Sequence, residues 1–120
     1  SSSIDLVTAL VTLHHLVDPV RALTEIYRII APGGMLIIRE HNFDGSSGMM
    51  SYLHLIHLYN DILLYDQCDL EALVRTTTYR SHVEWRNMIA SVGFVYIETL
   101  QCDNMNPQRL YYESFSKPVM

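Results

Sequence analysis

The sequence predicts an α/β fold organised around residues 4–41, and three observations predict it. Residues 4–10, Ile-Asp-Leu-Val-Thr-Ala-Leu, form an apolar run of strand length. Asp18-Pro19 then opens an amphipathic segment that runs to about Ala31, where Pro32-Gly33-Gly34 stops it. Residues 35–39, Met-Leu-Ile-Ile-Arg, form a second apolar strand that ends in Glu40-His41-Asn42. Two such strands joined by one helix are a βαβ unit, whose hand makes them parallel and adjacent or nearly so. Chemistry in open parallel sheets sits outside the carboxyl ends of the strands. Those ends here are residues 9–15 and 40–42, which hold His14, His15, Glu40 and His41.

Each element has a local reason. In the first helix Val20, Leu23, Tyr27 and Ile30 lie on one stripe, with Arg21, Glu25 and Arg28 largely off it, so one face packs on the sheet. Asp18 caps this helix and Pro19 takes its first position. Residues 43–48, Phe-Asp-Gly-Ser-Ser-Gly, read as a loop. A helix follows over residues 49–65, with His54, His57, Asn60 and Asp61 as a narrow polar stripe. The rest of it is mainly Tyr, Leu and Ile, which calls for cover by the sheet, a lid or another chain. Residues 66–79 are less regular. Ser81 and Glu84 form a capping box for a helix over residues 83–91, closed by Gly93. Strands are expected over residues 94–100 and 109–116. The turn chemistry of Asn104-Met105-Asn106-Pro107 makes them antiparallel neighbours.

Composition removes several classes of function. At 120 residues, 49% hydrophobic and 18% charged, the chain is an ordinary globular domain and no more than one. Its net charge of −5 and lack of a Lys/Arg cluster argue against tight binding to a phosphate backbone, though not against an RNA acceptor held elsewhere. Cys68 and Cys102 have neither metal-binding nor redox spacing and read as free thiols of a reducing compartment. No apolar run reaches the roughly 18 residues of a membrane span, and no signal-peptide pattern occurs, so the expected location is the cytoplasm. A parallel strand rich in Leu and Val normally needs a neighbour on each side, and residues 4–10 have a partner for only one. The expectation is therefore a fragment, cut before its fourth or fifth strand, with the first strand as an exposed edge able to dimerise.

The element order brings a family into view. Ile4-Asp5-Leu6-Val7 leading to Leu13-His14-His15-Leu16 is one matching stretch. Ala22-Leu23, Glu25-Ile26, Arg28-Ile29-Ile30 and Pro32-Gly33-Gly34 followed by Leu36 form the second. With Glu84-Trp85, Gly93-Phe94, Tyr111-Tyr112 and Phe115, they resemble the C-terminal half of a class I S-adenosylmethionine-dependent methyltransferase, which is Rossmann-like. The match runs over essentially the whole chain, as the fourth strand, a helix, the fifth strand, the last helix and a closing antiparallel pair. Arg39-Glu40-His41-Asn42 and Tyr79-Arg80-Ser81 resemble a branch that includes viral members.

The resemblance implies S-adenosylmethionine as cofactor and transfer of its methyl group to an oxygen or nitrogen acceptor. Such enzymes hold the cofactor on a Gly-rich turn after the first strand and an acidic residue after the second. This chain has neither, so residues 1–120 would be the C-terminal portion of one domain, supplying one wall of the pocket. On that wall the resemblance puts Ala9, Leu10 and Val11 beside the methionine part, with His14 near them. His14 and His15 must point different ways, one buried and one facing the pocket, where a neutral imidazole takes a proton from the acceptor. His15 and His41 are the candidate bases, and Arg39, Glu40, Tyr79 and Arg80 the candidate acceptor contacts. Arg39 and Glu40 also read as a self-satisfied pair, His41 as a loop-bonding residue and Trp85 as core. His54 and His57 are within reach of a shared metal but, with no thiolate or placed carboxylate, read as a solvated stripe; no metal is expected.

Three functional classes follow. The chain is part of a methyltransferase acting on a small-molecule, protein or RNA acceptor. Alternatively, it is a half-domain completed by a partner chain. The third is a non-catalytic remnant that binds protein through the strand edge and the apolar helix.

Overall fold

The computed structural model describes residues 2–101 and 108–119. In chain order the elements are β1 (Ile4–Leu10), a 3-10 turn (Leu13–His15), α1 (Pro19–Ile29), β2 (Ile30–His41) and α2 (Ser47–Tyr65). They continue with α3 (Leu70–Thr76), α4 (His82–Val92), β3 (Val95–Gln101) and β4 (Leu110–Ser116). The four strands form one sheet in the order β1-β2-β4-β3. β1 and β2 are parallel, while β4 runs antiparallel to both of its neighbours, β2 and β3. The expected βαβ unit and closing antiparallel pair are both present. The turn expected at residues 104–107 and Cys102 lie outside the described residues.

The Asp18 carboxylate accepts from the Arg21 N–H at the start of α1, and Ser81 and Glu84 form the reciprocal capping box of α4. Gly93 closes α4 at φ +125°, and a Cβ there would meet the Tyr27 ring at 2.9 Å, so this position needs glycine. Helix α1 ends at Ile29, not near Ala31, because Ile30 already pairs with Ile4. The Pro32-Gly33-Gly34 stretch is therefore a bulge inside β2: between the Ile4–Ile30 and Leu6–Met35 pairs, β2 carries three more residues than β1. A Cβ on Gly34 would lie 2.9 Å from the Asp5 carbonyl oxygen, which explains its glycine. Residues 66–79 are more regular than expected, since Asp69 caps the short helix α3.

One face of the sheet holds the core. Leu13, Leu23, Ile30, Leu36, Ile38, Trp85, Ile89, Phe94, Tyr111 and Phe115 are buried together between the sheet and α1 and α4. Ile26 and Tyr27 pack against them, whereas Val20, expected on the same stripe, is exposed because it lies to one side of the face that Pro19, Leu23 and Ile26 share. Among the described residues no helix lies against the opposite face. Leu6 and Leu10 of β1 and Leu100 of β3 are exposed on that side, and Met35, Ile37 and Tyr112 line a groove of about 500 Å³ with Leu100. β1 is also a free edge, as expected. Helix α2 is less covered within this chain than its apolar sequence called for. Only Met49 and Leu53 are buried, packed with Tyr79 and Phe43, while Leu55, Tyr59, Leu63, Leu64 and Tyr65 are exposed. Among the described residues no helix is long and apolar enough to cross a membrane.

Candidate functional site

Four elements meet at the carboxyl ends of β1 and β2. β1 ends abruptly: Val11 adopts φ +53°, a backbone conformation that β-branched residues rarely take, and its N–H donates to the Arg39 carbonyl. Such outliers gather at functional sites, where surrounding structure holds them. The turn that follows buries His14 completely and leaves His15 at the surface. At the end of β2, Glu40 and His41 are also buried. Helix α2 lies across this end and sends His57 inward, and Tyr79 closes the site from the segment before α4.

The hydrogen bonds fix the roles of the imidazole nitrogens. His14 Nδ1 lies 2.8 and 3.0 Å from the two Glu40 carboxylate oxygens, so it carries the hydrogen and donates. The same carboxylate accepts from the backbone N–H groups of His14 and His41, both at 3.2 Å. His41 Nδ1 donates to the Gln108 carbonyl at 2.9 Å, and His57 Nδ1 to the Leu53 carbonyl at 2.7 Å. With every Nδ1 committed, the Nε2 atoms face inward. His14 Nε2 and His57 Nε2 stand 2.9 Å apart, and His41 Nε2 is buried without a partner. One ring nitrogen from each of the three lies within 4.8 Å of the other two.

Burial pushes the His41 imidazole down to about 4, with the Gln108 bond acting against it. His57 is lowered too, chiefly by burial. His15, although its outer edge is open to solvent, packs its ring against His14 and His57, and desolvation with their neighbouring charges lowers it to about 4. The Tyr79 hydroxyl lies 3.1 Å from His57 Nδ1 and 3.4 Å from His54 Nδ1; burial raises it well above the usual phenol range. Beside the cluster, His15 and Asp61 line an open cavity of about 520 Å³ with Gln67, Cys68, Asp69 and Thr76. Cys68 is a free, exposed thiol.

The candidate site residues divide. His14, Glu40, His41 and Tyr79 converge on one cluster, with His15 at its rim. The adjoining Arg39 and Glu40 do not pair, because neighbours on a strand point to opposite faces. Glu40 turns to His14, and Arg39 lies with its guanidinium 5.6 Å from the Tyr112 ring. Leu10 points to the open face with Arg39, while Ala9 packs toward the core. Arg80 stacks on Trp85 at 5.0 Å, outside the cluster. His57 is not on a solvated stripe: it turns inward to His14, and His54 to Tyr79. The sequence signal for His57 was its place on the only polar stripe of an apolar helix. What could not be read was which element that stripe faces.

Comparison with known proteins agrees with the architecture. Residues 1–38 match the family model described as a methyltransferase domain. No curated protein sequence matches the chain. Among solved structures, the chain is similar to a putative methyltransferase of Haloferax volcanii in complex with its Trm112 activator, at 17% identity and TM-score 0.67, covering 98% of this chain and 55% of that one. It is also similar to a possible histamine N-methyltransferase of Thermotoga maritima, at 20% identity and TM-score 0.63, covering 97% and 57%. A third is the N-methyltransferase NodS of Bradyrhizobium japonicum bound to S-adenosyl-L-homocysteine, at 14% identity and TM-score 0.61, covering 98% and 48%. The sheet and the helices packed on it match part of the α/β fold of these solved methyltransferase structures. The chain spans about half the length of the structures it matches.

Proposed function

We propose that residues 1–120 are the C-terminal portion of an S-adenosylmethionine-dependent methyltransferase domain that methylates an oxygen or nitrogen acceptor. The observation that carries this reading is the meeting of β1 and β2, side by side and parallel, at an end crowded with polar groups. The methyltransferase-domain match over residues 1–38 spans β1, α1 and most of β2, which supports it. So does the uncovered face of the sheet, because a sheet with parallel strands is normally covered on both faces.

The cofactor, when bound, supplies the methyl group. The residues here fit only part of it. The backbone of Ala9 to Val11 ends β1 in an open turn able to lie along the methionine part. No Gly-rich turn follows β1, and among the described residues no carboxylate stands at the end of β1 to hold a ribose. His15 at the rim is the imidazole an acceptor meets first, with Tyr79 and Glu40 behind it.

The test is a titration of this chain with S-adenosylmethionine and S-adenosylhomocysteine, read by ligand-observed NMR. One wall of a pocket should give weak but saturable binding, with Kd on the order of 1 mM, equivalent to about −4 kcal/mol. Leu10→Trp, at an exposed position the fold tolerates, should weaken it at least severalfold. No saturation with either ligand, or binding indifferent to Leu10→Trp, would remove this wall from the cofactor site.

A second reading is favoured by the free edge of β1, where a partner chain or a second copy of this one would add a strand. Size-exclusion chromatography with light scattering should then find self-association that rises with concentration. Leu6→Lys, at an exposed position on that edge strand, should shift the chain toward monomer. A monomer at all concentrations would count against pairing between copies.

A further inference from the structure

We propose that His14, His41 and His57 form a binding site for one divalent transition-metal ion of the imidazole-preferring kind, such as Zn²⁺. The proposal stands apart from the methyl-transfer reading, since it concerns only what these three side chains hold.

Three observations converge on it. First, His14 Nε2 and His57 Nε2 face each other, and one ring nitrogen from each of the three histidines lies within 4.8 Å of the other two. Second, what stands behind each ring is what stands behind metal-ligating histidines generally: a carboxylate or backbone carbonyl accepting the other N–H. Here those acceptors are Glu40 for His14, the Gln108 carbonyl for His41 and the Leu53 carbonyl for His57. They come from different elements, yet each holds its imidazole in the same tautomer, with Nε2 bare. Third, that arrangement is costly when nothing occupies the centre. His41 Nε2 is a buried acceptor without a donor, in a side chain about 98% buried. His14 Nε2 and His57 Nε2 then face each other at 2.9 Å with lone pair against lone pair. Glu40 adds a fully buried carboxylate, whose one ion-pair partner among the described residues is His14. A cation among the three rings would relieve all three conditions together.

The geometry favours some ions over others. Three neutral imidazoles and no thiolate suit Zn²⁺, Co²⁺, Ni²⁺ or Cu²⁺ better than Mg²⁺ or Ca²⁺, which prefer oxygen ligands. Tetrahedral Zn–N bonds of about 2.0–2.1 Å put ligand nitrogens about 3.4 Å apart. Seating an ion thus needs the 2.9 Å pair to part slightly and any separation wider than about 3.4 Å, within the 4.8 Å spread, to close. A fourth position would remain for water or another ligand. The cavity with Asp61 and Asp69 on its wall reaches the rim of the cluster at His15.

The rival explanation is a proton shared between His14 and His57, with Glu40 as counter-ion. The two are separated by loading the chain, stripped with chelator, with Zn²⁺ and with Co²⁺. Metal analysis should find one equivalent per chain, and Co²⁺ should develop the intense visible absorption of a tetrahedral site. Adding Zn²⁺ should raise the melting temperature, because an ion bound only to the native state stabilises it. Glu40→Gln, which keeps an acceptor oxygen behind His14 but removes the carboxylate charge, should weaken binding about 10–100-fold. His57→Ala, on the most exposed of the three elements, should abolish the Co²⁺ band. His54→Ala on the same helix and His82→Ala, whose ring bonds to Asn42, should leave stoichiometry and affinity unchanged. Circular dichroism of His57→Ala checks that the fold persists, and His57→Asn serves if it does not. Failure of the wild-type chain to take up stoichiometric metal would overturn the proposal in favour of the shared proton. Uptake that survives both His57 variants would overturn it in favour of surface histidines.

Discussion

Trp85→Ala should destabilise the chain by about 3–5 kcal/mol, the range for deleting a large buried aromatic side chain. Trp85 is fully buried on α4, among Leu13, Leu23, Ile38, Ile89 and Phe115, at the layer where helix meets sheet. Its removal leaves a cavity and strips the Arg80 guanidinium of the ring it stacks on. Domains of this size are stable by about 5–15 kcal/mol in all, so the loss takes at least about a fifth of the total. Trp85→Phe is the informative companion. The indole Nε1 has no hydrogen-bond partner among the described residues, so the phenyl ring loses volume but no polar contact. It should cost clearly less than alanine. Urea denaturation of the three proteins, compared at equal m-value, measures both steps. Equal losses for Phe and Ala would mean that the site cannot repack around anything smaller than the full indole.

Much of this core was legible beforehand, and the reason is periodicity. The stripe through Leu23, Tyr27 and Ile30 was right, and failed at Val20, which lies to one side of the face that Pro19 and Leu23 bury. Capping signals at Asp18 and Ser81 are local chemistry, and both were placed correctly. The bulge at Pro32 to Gly34 was read as a simple stop, because a Pro-Gly-Gly sequence says that a helix ends without saying that a strand has already begun. The site was half legible for a related reason. His14, Glu40 and His41 sit at strand ends, where topology alone directs attention. His57 reaches the same point from α2, and no local pattern tells which side of a mostly apolar helix will meet the sheet. Gln108 contributes only its backbone carbonyl, which leaves no trace in residue type.

The second large effect is expected at Glu40, and it would fall on the histidine cluster as a unit. Glu40→Ala removes the acceptor for three donors at once: His14 Nδ1 and the backbone N–H groups of His14 and His41. Each buried donor left unpaired costs about 1–3 kcal/mol, so three of them set a loss of at least about 3 kcal/mol. The stability loss should accordingly be similar to that at Trp85 though it comes from polar contacts. Glu40→Gln keeps an acceptor oxygen and removes the buried charge, so its loss should be much smaller. The contrast matters for function as well as stability. In the alanine variant, nothing holds the His14 ring with Nδ1–H toward the sheet, and the ring is free to turn its Nε2 away from His57. Imidazole resonances in NMR would report this directly, as loss of the single His14 tautomer in Glu40→Ala and its retention in Glu40→Gln. A Glu40→Ala protein as stable as the wild type, with His14 unchanged, would mean that packing alone orients the ring. Glu40 would then be a buried charge without a task in the cluster, which its bonds to two adjoining histidines argue against.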